Sequence, residues 1–210
     1  MKCRLCDVRK PRRFCPAIRS EICALCCGTQ REVSISCPLD CEFLLESRTR
    51  EKLSEIEPDK LPHRDIQLSD EFLERIDALL GAVSQMLLSA ALLTPGAVDR
   101  DIQKALDAMI QTYRTKQSGL IYETRPDDLV AASLQQRLQA EIDRYAQALT
   151  QERGMTAVRD ADVLGALVFL RRLALYLDNS RPRGRAFVSY LLQRFPPDPS
   201  SARSTPVLTA

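Results

Sequence analysis

From Ser69 to Phe195 the apolar residues of this chain recur at steps of three and four, the spacing that collects them on one face of a helix. The first such stripe runs through Phe72, Leu73, Ile76, Leu79, Leu80, Val83, Met86, Leu87 and Ala90. Ser69 precedes it as a helix cap, with Asp70 and Glu71 in the electropositive first turn and Thr94-Pro95-Gly96 as the stop. Glu71 and Arg75 stand four apart, the spacing of an ion pair on a helix surface. A second helix is predicted over about 97–117, with Val98, Ile102, Leu106, Met109, Ile110 and Tyr113 inward and Gly119 closing it. Leu120-Ile121-Tyr122 makes a short connection, and Pro126 opens a third helix that carries its stripe from Leu129 through Leu149 to Gly154. Asp160 caps a fourth, through about Leu177, whose apolar residues cover more than one face and so place it at the centre of the body. A last helix spans roughly 184–195, ended by Pro196-Pro197. The pattern predicts a mainly α protein, with an all-α body of four to five helices over 69–195.

The first 68 residues carry no such stripe. Pro38 opens what reads as one helix over Cys41–Glu57, and His63, between Pro58 and Pro62, reads as an exposed linker residue. The segmentation is then a head at 1–45, a helix and linker at 46–68, the body at 69–195 and a disordered Pro/Ser-rich tail at 196–210. The most apolar stretch, Ala82 to Leu93, is too short and too polar for a membrane span. Met1-Lys2-Cys3 opens directly on cysteine with no apolar export segment behind it, which predicts a cytoplasmic chain whose thiols stay reduced.

All eight cysteines lie in the head: Cys3-x2-Cys6, Cys15, Cys23-x2-Cys26-Cys27 and Cys37-x3-Cys41. A Cys-x-x-Cys turn presents two sulfurs to one metal ion, and eight sulfurs complete two tetrahedral sets. The expected pairing is interleaved: Cys3, Cys6, Cys23 and Cys26 on one Zn²⁺, with Cys15, Cys27, Cys37 and Cys41 on a second. Adjacent Cys26 and Cys27 project differently, which suits two ions; a sequential set of Cys3, Cys6, Cys15 and Cys23 is the alternative. Both zinc ions would be structural, since an all-cysteine shell leaves no position for a reacting water. The same ligands suit an iron–sulfur cluster, and redox-active thiols are a further alternative.

The order Cys-x2-Cys, Phe-Cys-Pro, Ile-Cys-x-Leu-Cys, Cys-x3-Cys resembles the small cross-brace zinc fingers of HIT and MYND type. It is also similar to the cysteine heads of bacterial proteins with a Cys-Cys-Gly-Thr-x-Arg segment, here Cys26–Arg31. The resemblance covers residues 3–41 only. It departs in having Cys15 alone where a second claw would stand and in lacking a His ligand. Such fingers act mainly in protein interaction, so the resemblance implies a docking module with a protein partner.

Charge changes this picture in two places. Residues 1–52 hold 11 Lys/Arg against 7 Asp/Glu, an excess that two zinc–tetrathiolate sites, each −2, would cancel. Arg9, Lys10, Arg12 and Arg13 are nevertheless a dense run. Arg181, Arg183 and Arg185 form a second basic segment, which would touch phosphate, an acidic partner or the acidic middle of the chain. The two segments define the alternative function, RNA or DNA binding. No phosphate loop, nucleophile elbow or His-Glu-x-x-His motif occurs, and the expectation is a non-catalytic interaction or regulatory protein without membrane contact.

Overall fold

The computed structural model describes residues 2–51, 53, 55–120, 122–153 and 158–196. Two separate apolar cores organise them, one in the cysteine head and one in the helical body. In the head, strand β1 (Arg13–Cys15) pairs antiparallel with β2 (Ser20–Ile22), Phe14 opposite Glu21. Helices α1 (Ala24–Gln30) and α2 (Glu42–Arg48) follow. Ile22, Ile35 and Leu44 are the buried non-cysteine residues of this core, too few to hold a fold without a cross-link.

Helix α2 stops at Arg48, short of the expected end at Glu57. Between Leu45 and Leu53 the chain offers no apolar residue, and Leu53 is itself exposed. A helix continuing there would have no face to bury.

The body comprises α3 (Asp70–Arg75), α4 (Asp77–Leu93), α5 (Asp99–Gln117), α6 (Leu129–Arg153), α7 (Asp160–Tyr176) and α8 (Ala186–Arg194). Ser69 caps α3, its hydroxyl accepting from the Phe72 N–H at 3.2 Å. The single helix expected over 69–93 is broken at buried Ile76, whose φ of −99° and ψ of 8° leave the helical range. Arg75 there reaches Asp162 at 2.9 Å, and not Glu71 as its spacing predicts. Asp128, two residues after Pro126, caps α6 by accepting from the Val130 and Ala131 N–H groups at 2.9 and 3.2 Å. Gly96 and Gly119 both have positive φ, the conformation that ends a helix and favours glycine. Helices α4 and α5 each pack against α6, α7 and α8. Leu87, Ile102, Leu106, Met109, Leu134, Leu138, Leu167 and Phe187 meet in the resulting core. Helix α7 buries its whole run Val163–Val168, as its many-sided apolar pattern predicts. The expected stop at Gly154, Ile121 of the short connection, and the expected disordered tail beyond Pro196 lie outside the described residues. Among the described residues no helix is long and apolar enough to cross a membrane.

His63 is not the exposed linker residue expected. Its side chain is mostly buried, with Nε2 3.0 Å from Asp107 Oδ1, and α7 holds the surrounding strap. Arg172 donates to the carbonyls of Pro62, His63 and Ile66, while Arg171 grips both oxygens of Asp107. His63 lacks a partner in sequence because its partners come from 44 or more positions away.

Candidate metal centre

Cys3, Cys6, Cys23 and Cys26 converge so that their sulfurs all lie within 4.8 Å of one another. The local chain builds this arrangement from two turns. In the first claw the Cys3 N–H donates to Arg9 O and the Asp7 N–H to Cys3 O, which closes a tight loop over residues 3–9. In the second, Cys23 caps α1, its sulfur accepting from the Cys26 N–H at 3.4 Å. The claws are joined by the Cys23 N–H, which donates to Cys3 Sγ at 3.2 Å. The interleaved set is thus the one brought together; the sequential alternative with Cys15 is not.

The proton affinities of these thiols diverge in a way that tests the fit to a cation. Burial works against a Cys3 thiolate, but N–H groups of Cys23, Leu5 and Cys6 outweigh it and lower the pKa. The Arg9 and Val8 N–H groups hold Cys6 down to about 6. Cys26 is pushed up to about 12, first by neighbouring Cys23, then by burial and by Cys6 and Cys3. Four thiolates at this separation would repel one another. A divalent ion removes that repulsion, and the closed four-sulfur donor set matches the tetrahedral demand of zinc.

The other four cysteines share the head core without forming an equally tight group among the described residues. Cys15 ends β1, Cys27 lies in α1, and Cys41 precedes α2. Burial pushes the Cys37 thiol up; the Glu32 N–H opposes this, while the nearby charges of Cys41, Glu32 and Cys15 reinforce it. Two guanidinium groups donate to Cys27 Sγ, Arg13 at 3.5 Å and Arg31 at 3.7 Å. Arg13 also lies over the Phe43 ring at 4.4 Å.

Between Cys27 and Cys37 lies the contact that fixes head to body. Glu32 is 1% exposed, in a left-handed conformation with φ 52°. Its carboxylate accepts from Arg48 at 2.5 Å, Asn179 Nδ2 at 3.0 Å and the Arg185 N–H at 2.9 Å, and its carbonyl from the Arg183 N–H at 2.8 Å. The side chain of Arg185 donates to Cys37 O at 2.7 Å, that of Arg183 to Ser36 Oγ at 2.5 Å, and that of Arg181 to Arg31 O. All three arginines of the second basic segment are therefore engaged with the head. Arg9, Lys10 and Arg12 are exposed and form no ion pair among the described residues. Sequence reading misses Glu32 and Asn179, since a contact spanning 147 positions has no local signature.

No family model, curated protein or solved structure matches this chain. The likeness to HIT- and MYND-type fingers rests on cysteine spacing alone.

Proposed function

We propose that this chain is a non-catalytic, cytoplasmic interaction protein whose zinc-stabilised head presents a docking surface on a helical base. The convergence of Cys3, Cys6, Cys23 and Cys26 into a closed four-sulfur set carries this reading, because such a set holds a metal without leaving it a reactive position. The bound zinc supplies a cross-link to a head too weakly apolar to fold alone. A second zinc on Cys15, Cys27, Cys37 and Cys41 belongs to the same reading. Three observations support it: these cysteines share one core, Arg13 and Arg31 donate to Cys27, and Cys15 and Cys41 lie near Cys37. The guanidinium groups would hold the thiolate once loaded, and Glu32 would hold the ligand-bearing loop against the body.

Cross-linking in the cells that make the protein tests the interaction role. The intact chain should yield specific protein adducts, and Cys3→Ser/Cys23→Ser should lose them while far-ultraviolet circular dichroism shows the body helical. Adducts unchanged by that double substitution contradict the reading. Exposed Arg9, Lys10 and Arg12 favour nucleic-acid binding as the second reading, which requires an affinity that falls steeply with log salt. The first reading predicts no binding to mixed RNA or DNA at low salt.

A further inference from the structure

We infer that the outer face of the two claws is a docking site for an acidic peptide segment bearing leucine-type side chains. This inference rests on the head being an interaction module and names the chemistry of its partner. Leu5 and Leu25 occupy the same third position of the two Cys-x-x-Cys claws, and the claws converge, so both flank a single site. Neither packs inward: Leu5 is 42% and Leu25 52% exposed, and Val8, in the loop closed by Cys3 and Arg9, is 77% exposed. Three aliphatic side chains at the tip of so small a head leave apolar area in water that a partner would cover.

The charge around them selects the partner. Lys2, Arg4, Arg9, Lys10 and Arg12 are exposed on the segment that forms this tip and join no ion pair among the described residues. Asp7 and Glu21 are the acids beside them, the latter drawn in by the bond from the Arg4 N–H to Glu21 O. A filled four-cysteine site adds −2, so the surface stays net positive after the metal is counted. This differs from Arg181, Arg183 and Arg185, whose donors are spent on the head's own carbonyls and hydroxyl.

A nucleic acid would satisfy the cations but would leave Leu5, Val8 and Leu25 without use. Aliphatic groups neither stack on bases nor bind phosphate, and Phe14, the single aromatic of the segment, makes no ladder. A peptide with alternating acids and leucines satisfies both, its carboxylates on the basic rim and its apolar face on the claw tips.

The test is selection of a displayed random peptide library on the zinc-loaded full chain, with a mixed-sequence single-stranded DNA in parallel. Enriched peptides should combine an excess of Asp and Glu with Leu, Ile or Met. Their affinity should fall about tenfold for Leu5→Ser/Leu25→Ser and for Arg9→Ala/Lys10→Ala. Each variant should keep its metal content, which separates surface loss from unfolding. Neutral peptides bound equally well would keep the head as a docking module but overturn the acidic partner. No enrichment, insensitivity to both variants, or tighter binding of the DNA would overturn the inference outright.

Discussion

Asp99 shows how much one side chain contributes here beyond its own helix. It begins α5, yet its carboxylate accepts from the Phe187 and Val188 N–H groups at 2.9 and 3.2 Å, while its N–H donates to Gly184 O. It therefore caps α8 from a distance, a task that Arg185, the residue before that helix, does not perform. Burial pushes the Asp99 pKa up to about 7, and the two N–H bonds oppose further rise. A folded-state value above the unfolded one of about 3.9 means that folding retains a proton. The associated stability is present below the unfolded value and is lost as pH rises toward 7. Urea midpoints between pH 5 and pH 7.5 should fall more steeply for the native chain than for Asp99→Asn. Equal slopes would contradict this assignment. Residues with local signatures were legible: the claw cysteines by spacing and Ser69 by its position before a stripe. Glu32, His63 and Asp99 were not, because burial and distant donors define their roles.

Helix placement followed the apolar period closely, and it failed where contact between elements sets the geometry. The stripe through Ile76 continues unbroken in sequence, but the helical backbone breaks there, and Ile76 ends α3 and begins α4. Gly165 on α7 shows why this matters. A Cβ at that position would lie 2.3 Å from Phe72 Cζ, so the ring of α3 rests directly on the glycine backbone. Gly165→Ala should therefore destabilise the body, since overpacking costs about 1–3 kcal/mol and outweighs a helix-propensity gain of about 1 kcal/mol. With Phe72→Ala in the background the clash is gone, and the same substitution should become neutral or stabilising. A double-mutant cycle by urea unfolding reads this directly; identical effects in both backgrounds would contradict the packing described. The shortened α2 carries the same lesson from the other side: without apolar residues between Leu45 and Leu53 there is no face to propagate.

In the whole molecule, a head with a sparse core of its own is pinned to a well-packed helical body through buried Glu32 and the Arg181–Arg185 loop. The helical body and the N-terminal placement of the cysteine cluster were legible from where cysteines end and stripes begin. The docking was not, because complementary charges were visible on several segments and their partners depend on the folded arrangement. The loop between Cys27 and Cys37 joins the head core to the body because buried Glu32 accepts from Asn179 and from the Arg183 and Arg185 N–H groups. Metal analysis with thiol counting on the purified full chain tests the central claim most directly. The account predicts two zinc ions per chain and eight unreactive thiols, with Cys27→Ala reducing the count to one zinc. A single zinc with four reactive thiols would confine the metal to Cys3, Cys6, Cys23 and Cys26 and remove the second site. No bound zinc, or the visible absorbance of an iron–sulfur cluster, would contradict the zinc-held head.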